Sequence, residues 1–189
     1  MALDLRKLQK AFTQRRDVKR FILKLNKTLE ARWLQVVLLL LLGIIYTWAY
    51  ATHPLFPGRK SGSPTGWWSW ADQARYLKAA AALAQFKLSP DVYHYPLGYS
   101  LLGAVFWRFM PRHPFFIPDL LLVLGAGYVW WRLAGRLLNK FQSLVLAGLC
   151  LLTHGTLLKT TLVIPWNTIP TQFALLAGIW IVISEAGPR

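Results

Sequence analysis

Cysteine is almost absent from this sequence. Cys150 is the only one, so no disulfide can form within the chain and cysteine usage leaves the redox compartment open. Acidic residues are scarce as well: seven Asp and Glu stand against 22 Lys and Arg, a formal net charge of +15 over 189 residues. The sequence contains no P-loop, no Cys/His zinc pattern, no nucleophile elbow, no heptad and no internal repeat. Nothing in it reads as a cleavable signal peptide, because a long basic arm precedes the first apolar run and no small-residue cleavage site follows.

What is present is apolar. Hydrophobic residues make up 55% of the chain, ten of them tryptophan, and several runs are too long for a soluble core. A strongly basic protein invites a nucleic-acid reading, since clustered Lys and Arg neutralise phosphates. Here the basic residues sit beside apolar runs, where they set topology and meet anionic phospholipid. No nucleic-acid partner is expected. The expectation is an all-α polytopic protein, integral to a membrane and read as bacterial inner or plasma membrane.

The pattern predicts about four transmembrane helices, with juxtamembrane helices in a large first outer loop and an amphipathic N-terminal helix. Residues 1–32 hold ten Lys or Arg, with apolar residues at helical spacing, so this arm lies at the cytoplasmic headgroup surface. Residues 33–51 form the first span, flanked by Trp33, Tyr46, Trp48 and Tyr50. The outer loop runs over 52–114, with helices at about 69–87, where Ser69 is a possible N-cap, and 96–110. The apolar part of the second is too short to cross and reads as interfacial or re-entrant. Residues 115–138 form the second span, whose basic end of Arg132, Arg136 and Lys140 points to the cytoplasm. A third span covers 142–164, an outer turn 165–168, and a fourth span 169–185.

The chemistry-bearing candidates gather in the outer loop. Asp72 can act as a general base towards a hydroxyl or amine near the membrane surface, or as a first-turn acid that complements the helix dipole. Asp72, Asp91 and His94 could together offer two oxygens and a nitrogen to a divalent cation, the only cofactor the sequence suggests. The bland alternative is a turn-capping Asp and an interfacial His. Arg75, Lys78 and their basic neighbours would hold a phosphate or meet lipid headgroups. His154, Lys159 and Asp119 stand within or near spans, where ionisable groups are costly and often functional. Asn167 in the outer turn can bind substrate or cap the following helix. Gly125, Ala126, Gly127, Ala147 and Gly148 suit close helix packing.

The run Trp70-Ala71-Asp72-Gln73-Ala74-Arg75-Tyr76, then Tyr95-Pro96-Leu97-Gly98-Tyr99, then a span closing on Arg132 to Arg136, resembles the N-terminal part of GT-C membrane glycosyltransferases. The similar branches are the lipid A aminoarabinose transferases and protein mannosyltransferases, in which an Asp-Glu pair opens the first outer loop. The resemblance implies a polyprenyl-phosphate-sugar donor and Asp72 as the catalytic or substrate-positioning carboxylate. It further implies Arg75, Lys78, His94, Tyr95 and Asn167 as sugar or phosphate contacts, with Trp67, Trp68 and Trp70 stacking on sugar or prenyl chain. Gln73 stands where the family usually has Glu, and Asn167 roughly where relatives carry a second acid. The chain corresponds to the first four spans of such enzymes. The alternative expectation is a non-catalytic, truncated relative that packs with other membrane subunits.

Overall fold

The structure, a computed structural model, describes residues 17–21, 23–24, 27–28, 32–59, 64–153 and 162–185. The rest of the N-terminal arm, with His154 and Lys159 among the residues singled out above, lies outside that set. Every regular element among the described residues is helical. In chain order these are α1 (Arg32–Ala51), α2 (Ala71–Ala84), α3 (Leu97–Trp107), α4 (Phe116–Leu137), α5 (Lys140–Thr153) and α6 (Thr168–Glu185), with short 3-10 turns at Gly66–Ser69 and Pro90–Val92.

Among the described residues three helices are long and apolar enough to cross a membrane: Trp33–Ala51 within α1, Phe116–Arg136 within α4, and α6. The expected third span, 142–164, falls partly on residues outside the described set. Its described residues are those of α5 up to Thr153, together with 162–164. α5 begins two residues earlier than expected, at a reciprocal cap: the Asn139 N–H donates to Gln142 Oε1 (3.1 Å) and the Gln142 N–H to Asn139 Oδ1 (2.9 Å). That pairing satisfies two amides that the first turn would otherwise leave without partners.

α4 is the central helix, with α1 and α6 both packed along it. Two of its glycines let them approach. A Cβ on Gly127 would sit 2.6 Å from a Leu42 methyl of α1, and one on Gly125 would sit 2.8 Å from the Phe173 ring of α6. Small residues at such crossings are what lipid-embedded helices use in place of hydrophobic burial. Gly148 has open space around it and plays no such part. Outward faces stay apolar: Trp33, Leu40, Ile44 and Trp48 on α1 are all exposed. A bilayer makes that costless, because acyl chains are as apolar as these side chains.

The buried core lies at one end of the bundle, called here the capped end. It is built from Tyr46, Ala49 and Tyr50 of α1, Trp67 and Trp68, Tyr76 and Ala80 of α2, Tyr99 of α3, Phe115, Val123 of α4, and Val163, Ile164 and Ile169. Arg59 donates to the Ala51 carbonyl (3.1 Å) and so closes the C-terminus of α1. The chain then folds back at Gly66, whose φ of +55° is a conformation that glycine adopts without penalty. A Cβ there would lie 2.2 Å from the Leu55 carbonyl oxygen. The turn drives Trp67 into the core, where its N–H donates to Leu55 O (2.9 Å), while the Trp68 indole donates to Arg112 O (2.9 Å).

α2 and α3 pack mainly on each other. α3 is inside-out by the standards of a soluble helix. Tyr99, Ser100 and Gly103 are buried, while Leu97, Leu101 and Val105, spaced four apart, are exposed, and so is Phe109 beyond its end. Its 11 residues are too few to cross a bilayer. Ser69 does not cap α2: its hydroxyl donates to Gly66 O (2.8 Å), and the N-cap position falls to Trp70, which offers no side-chain acceptor.

Candidate functional site

α2 supplies the carboxylate singled out in the sequence. Asp72 sits in its first turn, half-buried, and accepts a 2.5 Å hydrogen bond at Oδ1 from the Tyr95 hydroxyl. Arg75, one turn further along α2, donates to the same phenol oxygen (3.2 Å) and stands 5.9 Å from the Tyr95 ring centroid. Asp72, Arg75 and Tyr95 are therefore brought together. Tyr95 is the hinge: it takes a bond from a cation and passes one to a carboxylate, so the Arg75 charge polarises the donor that holds Asp72.

The remaining expected residues are arranged differently. Lys78 is exposed on α2 three residues beyond Arg75, and His94 is exposed in the loop just before Tyr95. Asp91 is exposed and accepts from the Ser89 hydroxyl (3.3 Å). Asp72, Asp91 and His94 do not converge: among the described residues no three His, Cys, Asp or Glu side chains are placed to hold a metal ion. Asn167 is exposed immediately before α6, and its carbonyl accepts from the Thr171 N–H (3.1 Å) and hydroxyl (2.7 Å). Trp67 and Trp68 are buried packing residues, whereas Trp70 remains exposed and available for stacking.

Beneath this surface lies a second polar centre. Asp119, in the first turn of α4, is fully buried, and its Oδ2 accepts from the Tyr99 hydroxyl (2.9 Å). Burial first, and then the nearby Asp119 carboxylate, push the Tyr99 phenol well above its ordinary range, so it is a proton donor at any physiological pH. Asp119 Oδ1 and the Tyr46 hydroxyl are buried without hydrogen-bond partners among the described residues. Tyr76 connects the two centres, its ring 5.0 Å from that of Tyr95 and 5.1 Å from that of Tyr99. Burial and then the neighbouring Tyr95 and Asp72 raise the Tyr76 phenol too.

Gln73 is the neighbour of Asp72 that the sequence pattern left unplaced. Its side chain is buried and donates to Pro165 O (3.4 Å), which docks the 165–168 turn against α2. The spacing Gln73, Tyr76, Ala80 marks the buried face of α2, and a polar residue at the head of that stripe was the available signal. At the opposite side of the cap, the Tyr50 hydroxyl pairs with His113 Nδ1 (3.0 Å), and the His113 ring stacks on Phe56 (4.6 Å between centroids).

No protein-family model, curated protein or solved structure matches this chain.

Proposed function

We propose that this chain is the donor-site part of a GT-C-like membrane glycosyltransferase, drawing a sugar from a polyprenyl phosphate at the outer membrane face. The single observation that carries the reading is the Arg75–Tyr95–Asp72 arrangement. A carboxylate is held by one oxygen, beside cations, on two short helices at the end of a spanning bundle. In this reading Oδ2 of Asp72 takes the proton of an acceptor hydroxyl. The acceptor oxygen then forms its bond to the anomeric carbon as the bond from that carbon to the phosphate oxygen breaks, and polyprenyl phosphate leaves with the electron pair. Arg75 and Lys78 offset the phosphate charge, and His94 contacts the phosphate or sugar. Trp70 stacks on sugar or prenyl chain. The capped end is then outside, and the N-terminal arm and the Arg132–Arg136 end are cytoplasmic.

The test is transfer from a polyprenyl-phosphate sugar by membranes holding the chain. Asp72→Asn is expected to lower turnover by at least about a hundredfold, the usual range for general-base loss. Full activity in Asp72→Asn would refute the assignment of the base.

A second reading is a non-catalytic subunit of a larger membrane assembly. It is favoured by α6, most of whose surface is uncovered, with open space at Gly178 along a groove bounded by Ala174, Leu175 and Ile179. A stoichiometric complex after gentle solubilisation, with no transfer activity, would select it.

A further inference from the structure

The end of the bundle opposite the cap holds a second arrangement, independent of Asp72. Arg132 and Arg136 lie four residues apart on one face of α4, and both guanidinium groups stand over the Trp180 ring of α6, at 5.1 and 4.7 Å from its centroid. Arg136 also donates to Ile183 O (2.8 Å), one of the last carbonyls of α6, while Arg132 makes a long 3.5 Å contact to the Tyr128 hydroxyl. Stacking occupies the flat face of a guanidinium and leaves its N–H edge for other acceptors; each group has five N–H donors in a fixed fork. Neither arginine forms an ion pair among the described residues, and both are exposed. Among the described acids, Asp72, Asp91 and Asp119 belong to the capped end, and Asp17 pairs with neither arginine. Glu185, just past Ile183, bonds to neither arginine.

We propose that the Arg132–Trp180–Arg136 stack binds the phosphodiester headgroup of an anionic phospholipid. The two forks present in-plane donors to phosphate oxygens, the geometry in which arginine exceeds lysine. Trp180 fixes both forks in place, which lowers the entropy lost when a phosphate is bound. A lipid, rather than free phosphate, is the ligand because the stack sits where spanning helices end. Immediately beside it, Ile179, Ile181 and Val182 expose apolar surface on α6. The headgroup meets the forks while the acyl chains cover those side chains. Basic sites between helix ends are a recurrent way of holding anionic lipid.

The experiment is native mass spectrometry of the purified full chain in detergent, with dioleoyl phosphatidylglycerol or dioleoyl phosphatidylcholine as the probe lipid. Wild type is expected to retain phosphatidylglycerol about tenfold more than phosphatidylcholine, the size of one charge-assisted contact pair. Arg132→Gln, which leaves the Arg136 bond to α6 in place, should lose most of that preference. The double variant Arg132→Lys with Arg136→Lys should lose it too, because charge without a stacked fork is not enough. Arg108→Gln at the capped end should keep it. Equal retention of the two lipids by wild type would overturn the proposal, as would a double lysine variant that keeps the preference. Displacement of the lipid by an equal concentration of inorganic phosphate would overturn the lipid assignment.

Discussion

Tyr99 donates its hydroxyl to Asp119 Oδ2 across 2.9 Å, with both side chains shut off from solvent. The bond ties α3 to the first turn of α4 and puts a polar link inside an otherwise aromatic cap. Removing the donor leaves a buried Asp119 oxygen without its described partner, a loss of about 1–3 kcal/mol. Tyr99→Phe should therefore destabilise the protein by that amount in thermal unfolding in detergent. Adding Asp119→Leu to Tyr99→Phe should recover part of the loss, because both ends of the bond are then apolar. Additive losses would show that the two side chains do not interact.

His113 gives the cap a dependence on pH. Burial, and then the adjacent Arg112, lower its ring below the ordinary value of 6.5, so the folded state favours the neutral imidazole paired with the Tyr50 hydroxyl. The unfolded chain takes up the proton more readily. Stability is therefore intact above about pH 6.5 and declines as the pH falls from there through the lower folded value. Wild type should lose stability relative to His113→Gln across that window, measured by detergent-solubilised thermal melts from pH 7.5 to 5. Parallel curves would contradict the assignment.

Gly66 is expected to tolerate no side chain. Gly66→Ala combines the φ of +55° with a Cβ 2.2 Å from Leu55 O and 2.7 Å from Pro57 N. Together these should cost at least about 2 kcal/mol. Protease cleavage within 57–70 should rise, since Trp67 would no longer seat in the core. Wild-type resistance would show that the turn can rearrange.

Phe86 presents the opposite case. It closes α2 in the left-handed region, at φ 56°, with its N–H bonded to Leu83 O and the following Lys87 N–H bonded to Ala82 O. Glycine is the residue that end normally carries. Phe86→Gly should raise stability in detergent by about 1 kcal/mol. Phe86 is also 89% exposed, an aromatic side chain open to an apolar phase. The same variant should therefore partition less well into lipid vesicles when the 64–110 segment is presented on the full chain. A variant that is less stable in detergent would contradict the strain argument.

The all-helical class and the existence of long apolar helices were legible because lipid leaves a one-dimensional signal: a helix that spans reads as an uninterrupted apolar run. Three such helices are present among the described residues, whereas the expected third span, 142–164, rests partly on residues outside that set. The Asp72, Arg75 and Tyr95 grouping was legible as residue types, but only folding joins positions 72 and 95 through α2 and α3. The burial of Trp67 and Trp68 was not legible. Tryptophan is common at membrane interfaces, and nothing in the local pattern says that Gly66 turns these two rings inward. Asp119 was visible as an acid near a helix start, but its tie to Tyr99 spans 20 residues and depends on α3 folding back. Asn139 and Gln142 carried a readable capping signal that fixes where α5 begins.

Photocrosslinking with a diazirine-bearing polyprenyl phosphate, followed by peptide mapping on the full chain, locates the donor site most directly. Adducts are expected within residues 64–110, displaced by unlabelled polyprenyl-phosphate sugar and weakened when Arg75→Gln removes the cation beside Tyr95. Adducts confined to α1 or α6, or labelling that unlabelled donor does not displace, would contradict a polyprenyl-phosphate site at Asp72.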